Sequence, residues 1–191
     1  MSDGLLLAQL RVATREQHAR LESLPALRRL FADDYTVAEY SRLLQSFFSL
    51  FSPLEAAVQA TGRKTAASLG YELRSEDLAA DLKILAAKTG ADTAVPSALT
   101  GSRAAETGCL YVLAGSRLGG KVIARQLAGS LGLTADSGIR FFAGSSGNEG
   151  HNWAQFCHRA ELSCDTPPAR EAAVSAAAAT FDLFYQQLAD E

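Results

Sequence analysis

Apolar residues recur at helical spacing along most of the chain. In the first segment they lie along one stripe of a predicted helix, at Leu6, Leu10, Ala13 and Leu21. A second helix is predicted to begin at Thr36, because Thr36 and Glu39 have the spacing of a capping box. Pro53 stands inside the apolar pattern that follows and is expected to kink that helix or divide it in two.

The remaining segments are also predicted to be helical. A third helix should follow Ser75 and end at Gly90, and a long fourth helix should cover about residues 104–128. Shorter segments follow in SGIRFFAG and HNWAQFCHRAEL, and the last helix should begin at Thr166 and Pro167. No alternating strand pattern of useful length occurs. The pattern therefore predicts an all-α protein with one domain over residues 1–191.

Composition and charge narrow the class of protein. Eighteen basic residues stand against twenty-one acidic residues, so the net charge of -3 gives no sign of a nucleic-acid surface. No apolar run approaches the length of a membrane span, and no basic stretch precedes the short apolar run at the amino terminus. Cys109, Cys157 and Cys164 form no CxxC pair, which suits a reducing compartment. We therefore expect a cytoplasmic protein without a nucleic-acid or membrane partner.

A histidine falls on the apolar stripe of the first helix, in the stretch TREQHARLE. His18 takes a place where leucine would be expected in an ordinary amphipathic helix. A lone histidine in such a place is more often a core residue with satisfied hydrogen bonds than a metal ligand. Glu22 follows four residues later, at a spacing that lets its carboxylate reach the imidazole. A carboxylate on the second ring nitrogen fixes the tautomer of a metal-bound histidine.

Three glycines interrupt the fourth helix, in GCLYVLAGSRLGGKVIARQL. Gly115, Gly119 and Gly120 each cost up to about 1 kcal/mol relative to alanine inside a helix. They indicate either a kink with close packing against another helix or a bare backbone that a planar ligand approaches. Together with His18, they could hold a flat macrocycle between an axial ligand and an open distal side.

Three stretches resemble the biliverdin-producing haem oxygenases, and most of all the bacterial ones. They are LRVATREQHARLE, GCLYVLAGSRLGGKVIARQL, and FFAG with NWAQFCHRAELSCDTPPARE and TFDLF. The resemblance implies an all-helical fold with haem between the first helix and a kinked, glycine-rich distal helix. It also implies oxidative cleavage of haem to biliverdin, iron and carbon monoxide. That reaction needs O2 and an electron donor, such as a ferredoxin or a flavoprotein reductase.

The resemblance also implies roles for single residues. His18 matches the axial iron ligand, and Glu22 matches the carboxylate that contacts that ligand. Arg11 matches a basic position that approaches a haem propionate. Gly115, Gly119 and Gly120 match the distal glycines, whose backbone directs bound oxygen towards the ring.

Two positions depart from the pattern of the better-known relatives. Ser116 stands where many relatives carry an aspartate that orders a distal water network, and serine can hold a water without bringing charge. Ala154 and His158 stand where a lysine and an arginine clamp the propionates. Further candidates for haem contacts are Arg159, Tyr111, Lys121, Arg125 and Phe181.

Two other functions remain open at this point. A non-catalytic haem-binding or haem-transfer protein would suit the departures at Ser116 and at the propionate clamp. A thiaminase-like enzyme on a similar helical fold would instead need Cys109 or Cys157 as a nucleophile in a pocket.

Overall fold

The computed structural model describes residues 4–90, 93–144 and 149–189. In this part of the chain all regular structure is helical, which confirms the predicted all-α fold. The α-helices are α1 (Leu5–Glu22), α2 (Pro25–Arg28), α3 (Val37–Ala60), α4 (Thr65–Leu69), α5 (Ser75–Ile84), α6 (Arg103–Leu131), α7 (Arg140–Ala143), α8 (Glu149–Ser163) and α9 (Pro167–Ala189). No described helix is both long and apolar enough to cross a membrane.

The first helix is held at its amino end by a residue distant in sequence. The backbone N–H groups of Leu6 and Leu7 donate to the Glu161 carboxylate of α8, at 3.2 and 2.8 Å. Gly4 precedes them, and a Cβ at that position would collide with the same carboxylate. Because the first N–H groups of a helix have no partner within it, Glu161 supplies the missing acceptors for α1.

Helix α3 corresponds to the second predicted helix. It begins at the predicted capping box and passes through Pro53 without a break. The Thr36 hydroxyl accepts from the Glu39 N–H, and the Glu39 carboxylate accepts from the Thr36 N–H. Pro53 does not divide the helix. A proline has no N–H for the carbonyl four residues earlier. That carbonyl, on Ser49, accepts instead from the Thr93 N–H at 3.0 Å. The lost helical bond is thus replaced by one to the connection before α6.

Helix α5, which corresponds to the predicted helix after Ser75, is shorter than predicted. It ends at Ile84, well before Gly90, because Ala86 adopts a left-handed conformation with φ of 53°. The N–H of Ala87 bonds the carbonyl of Leu82 at 2.9 Å, and the N–H of Ala86 bonds that of Lys83 at 3.2 Å. This is a Schellman motif with alanine where glycine is the usual residue. Sequence reasoning missed the helix end because alanine is not a stop signal.

Replacement of Ala86 by glycine is expected to stabilise the protein by about 0.5–1 kcal/mol. Glycine has no Cβ and so removes the steric strain of the left-handed conformation. Part of that gain in stability is lost, because glycine also raises the conformational entropy of the unfolded chain. Urea unfolding followed by circular dichroism measures the effect. Ala19, exposed in the last turn of α1, is the control: Ala19→Gly should instead destabilise by up to about 1 kcal/mol. A loss of stability in Ala86→Gly would contradict the strain at this position.

The longest helix, α6, packs against α9 and carries one face of the cavity described below. Ser102 caps it by accepting from the Ala105 N–H at 3.0 Å, and Gly132, with φ of 67°, ends it. The helix is therefore a few residues longer at its carboxyl end than predicted. Gly108 lies directly against the backbone of Ala173 in α9, where a Cβ would collide with the Ala173 carbonyl oxygen. This close approach sets the distance between the two helices.

Candidate active site

A cavity of about 690 Å³ lies between α1 and α6, with walls from α3, α7 and α9. This volume is within the range of about 300–1,000 Å³ that is typical of small-molecule sites. Most of the residues that line it are apolar or aromatic. They are Thr14, His18, Leu21, Glu22, Leu27, Arg28, Leu30, Phe31, Phe47, Phe51, Tyr111, Val112, Gly115, Ser116, Leu118, Gly119, Val122, Ile123, Phe141, Phe142, Trp153, Phe181 and Phe184.

His18 presents its imidazole to this cavity. Its Nδ1 lies 3.3 Å from Oε2 of Glu22, the residue one helical turn further along α1. The ring edge packs against Phe181 of α9, with a centroid distance of 5.7 Å. The His18 side chain is 58% exposed, so it is not a histidine satisfied within the core. With Nδ1 beside the carboxylate, Nε2 is the nitrogen available to a ligand.

Of the three distal glycines and Ser116, all but Gly120 line the same cavity. Gly115, Ser116 and Gly119 lie on the face of α6 that the cavity exposes. A Cβ at Gly119 would meet no atom within 4 Å, whereas one at Gly115 would meet Trp153 at 3.7 Å. The Ser116 hydroxyl donates to the Leu113 carbonyl at 2.7 Å, which leaves its oxygen free to accept a hydrogen bond. Gly119 is thus the point where α6 offers bare backbone to open space.

Gly120 is also in α6, but it lies outside the cavity. Its hydrogens face α7, and a Cβ at this position would come within 2.7 Å of the Phe142 carbonyl oxygen. The glycine permits α7 to approach α6 closely, which is the packing explanation that the sequence left open. Because Phe142 lines the cavity, Gly120 acts on the site through the position of α7.

Aromatic rings form the inner wall of the cavity. Phe47 and Phe51 of α3 contact Phe141 of α7 with centroid distances of 5.8 and 5.2 Å, and Phe51 also contacts Phe184 of α9. At the α8 side, Trp153 lies 5.4 Å from Tyr111. The sequence indicated Phe181 and Tyr111 as ligand contacts, whereas Trp153 carried no signal beyond its residue type.

Two buried charged residues of the α5 region hold Phe141 in this wall. The Asp81 carboxylate accepts from the N–H groups of Arg140 and Phe141, at 2.9 and 2.8 Å. The Arg74 guanidinium lies 4.2 Å from the centre of the Phe141 ring and donates to the Phe141 carbonyl. Burial, with the nearby Arg117, lowers the pKa of Arg74 to about 10, so Arg74 remains charged at neutral pH. The Phe141 ring is therefore fixed by contacts on its backbone and on its face.

The cations predicted to contact a ligand do not line the cavity. Arg11 lies exposed on α1, and His158 is exposed on α8 beside Arg159, whose guanidinium packs against Gly70. Lys121 and Arg125 are on α6 but outside the lining residues. Among the described lining residues the one arginine or lysine is Arg28, at the end of α2. Sequence reasoning missed Arg28 because α2 carries no motif.

The cysteines are poorly placed for nucleophilic catalysis. Cys109, Cys157 and Cys164 are free thiols, all buried, and none is among the residues that line the cavity. Burial raises the pKa of the Cys109 thiol to about 12, which disfavours the reactive thiolate at neutral pH. The thiaminase-like alternative therefore has no thiol in the site.

Three solved structures share this fold over 97% of the chain. Heme oxygenase from Leptospira interrogans has 17% identity and a TM-score of 0.77, with 99% of its own chain covered. Heme oxygenase-2 from Synechocystis sp. PCC 6803, in complex with heme and NO, has 18% identity, a TM-score of 0.79 and 84% of its chain covered. Heme oxygenase-1 from the same cyanobacterium, in complex with heme, has 16% identity, a TM-score of 0.71 and 91% covered.

These structures define the class of fold, and the sequence defines the family. A model of the family described as "Heme oxygenase" matches residues 5–190, which is nearly the whole chain. The protein therefore belongs to the haem oxygenase family, whose enzymes are oxidoreductases with haem as substrate and cofactor. No curated protein matches the chain.

Proposed function

We propose that this protein cleaves haem oxidatively to biliverdin, with release of iron and carbon monoxide, in the cavity between α1 and α6. One observation carries the proposal: the His18 imidazole and the bare backbone of Gly119 line the same apolar cavity, on two different helices. Family membership supports the reaction, and the arrangement of these residues supports the place where it occurs.

The cavity suits a flat, largely apolar macrocycle. Its aromatic wall offers ring faces and edges to a ligand. Its volume of about 690 Å³ is in the range of sites that bind ligands of drug size. The polar groups of α1 that line the cavity are the His18 imidazole, the Glu22 carboxylate and the Thr14 hydroxyl, which donates to the Leu10 carbonyl. When haem is bound, its iron supplies the activation of O2, and the protein decides how the ring is held.

On the proximal side, His18 would hold the haem iron through Nε2. The Glu22 carboxylate would accept a hydrogen bond from Nδ1–H, which leaves the lone pair on Nε2 and increases its basicity. Phe181 limits rotation of the ring by its edge contact. These two neighbours together hold the imidazole in one tautomer and one orientation.

On the distal side, Gly115, Ser116 and Gly119 are the proposed catalytic positions. The open space beside Gly119 would leave room for a small molecule between this helix and a bound ring. The Ser116 oxygen can accept a hydrogen bond from a water, because its own proton is engaged by the Leu113 carbonyl. Such a water could transfer protons without the charge that aspartate brings in many relatives.

The electrons are proposed to come from a separate donor protein, such as a ferredoxin or a flavoprotein reductase. An external reductant is part of the chemistry of this class of oxidoreductase. A cytoplasmic location is also proposed, and the three free, buried cysteines support a reducing compartment.

A haem titration followed by turnover tests the proposed function. Absorbance should show one haem bound per chain. Addition of O2 with a ferredoxin, its reductase and NADPH should then replace the Soret band with the broad band of a verdin. A Soret band that persists under these conditions would indicate a haem carrier, the alternative that Ser116 leaves open. Absence of haem binding would reject both functions.

A further inference from the structure

The rim of the cavity carries one arginine and no lysine among the residues that the structure describes. Arg28 is exposed at the end of α2, and Glu22 is the only carboxylate among the described lining residues. The Glu22 carboxylate is already beside His18. A ligand with free carboxylates would therefore find one strong cationic partner on this rim.

Arg28 makes no side-chain hydrogen bond or ion pair with another described residue. Its neighbour Arg29 differs, because its guanidinium donates to Asp34 and Glu39 at 2.6 and 2.8 Å. Arg20 of α1 is likewise engaged, by Asp182 and by the face of the Tyr185 ring. A guanidinium presents two parallel N–H donors that match a carboxylate, so Arg28 keeps its full capacity for one.

Apart from His18, Glu22 and Ser116, the other exposed residues of the rim are apolar. Phe31, Leu118 and Val122 line the cavity and are about half exposed, at 52%, 50% and 57%. Large apolar side chains left open to water at a cavity mouth suit the hydrocarbon edge of a bound ring. They would leave a carboxylate placed beside them without a partner. The rim thus has a cationic sector at α2 and an apolar sector on α6 and Phe31.

We propose, on the basis of the proposed function, that Arg28 binds a haem propionate and sets the rotation of the ring within its plane. The propionate edge would then face α2, instead of the segment of α8 with Ala154 and His158 that the family pattern suggests. Because the carboxylates are the main polar groups at the edge of the ring, their partner decides which meso carbon lies over Gly119. Arg28 is therefore a specificity-determining residue for the biliverdin isomer.

A binding experiment without turnover tests this role. Haem and its dimethyl ester, which lacks free carboxylates, are titrated into wild type, Arg28→Ala, Arg28→Lys and two controls. Wild type should bind haem about five to ten times more tightly than the ester. Arg28→Ala should bind both equally, with a weaker affinity for haem and an unchanged affinity for the ester. Arg28→Lys should keep part of the preference, because it keeps the charge and loses the paired donors.

The controls separate Arg28 from a general charge effect. Arg15, exposed on α1 and outside the cavity, should be replaceable by alanine without loss of the preference. Arg11→Ala tests the anchor expected from the family pattern. A preference retained in Arg28→Ala and lost in Arg11→Ala would overturn the proposal. A wild type that binds neither ligand would instead reject the proposed function.

The products give a second, independent readout. Chromatography should show one main biliverdin isomer from wild type and a mixture from Arg28→Ala, with turnover still measurable. The same single isomer from both proteins would overturn the assignment of ring rotation to Arg28.

Discussion

Replacement of His18 by alanine is expected to abolish the native axial ligation of haem and to weaken haem binding at least 100-fold. Changes in groups that merely support a metal ligand cost about 10–100-fold, so removal of the ligand itself should cost more. The fold should survive, because the side chain is 58% exposed and packs on the core with its ring edge against Phe181. The absorbance spectrum of the haem complex measures ligation, and added imidazole should restore it by filling the space of the lost ring.

His158→Ala is the matched control for this change. His158 is an exposed histidine on α8 outside the cavity, so its replacement should leave the spectrum unchanged. Glu22→Gln should keep the ligand and give a smaller loss of affinity, because Glu22 is itself 68% exposed and its influence is screened by water. A native spectrum in His18→Ala would show that iron has another ligand.

The second large effect is expected at Gly119. A leucine there should reduce verdin formation at least 100-fold while haem binding falls by less than tenfold. A Cβ at this position meets no protein atom, so the fold accepts the side chain, and the remaining atoms extend into the distal part of the cavity. They would occupy the space needed by O2, while the proximal residues on α1 are untouched. Single-turnover assays with a reductant, together with a haem titration, measure the two quantities.

Gly129 offers the control for helix propensity. It is also in α6, is exposed, and has open space around its missing Cβ. Gly129→Leu should therefore raise the stability of the helix slightly without any effect on turnover. Unimpaired turnover in Gly119→Leu would remove the assignment of this face of α6 to the distal side.

Local signals in the sequence predicted the helices and part of the site. The capping box at Thr36 and the spacing of His18 and Glu22 depend on residues within one helical turn, and both are present in the structure. Gly115 and Gly119 were also recognisable, because glycine inside a helix lowers the stability of that helix and therefore indicates a structural or functional reason for its presence. The end of α5 was not recognisable from the sequence, since Ala86 adopts a left-handed conformation that alanine disfavours.

The parts that could not be predicted depend on contacts between distant segments. Arg28 reaches the cavity because α2 lies beside it, and nothing in the sequence around residue 28 distinguishes this arginine from its neighbour Arg29. Gly119 and Gly120 are adjacent in sequence, yet one faces the cavity and the other faces the backbone of α7. A difference of one position turns a side chain by about 100° around a helix, which motif matching does not resolve.

The attachment of α1 to late segments of the chain has a consequence for synthesis. This helix leaves the ribosome before α8 and α9, but its main packing partner is α9 and its amino end is capped by Glu161 of α8. His18 therefore meets Phe181 only after α9 has been made. Since such long-range contacts form slowly, the proximal wall should be one of the last parts of the domain to assemble. A nascent chain released before α9 would carry the iron-ligating motif without a pocket around it.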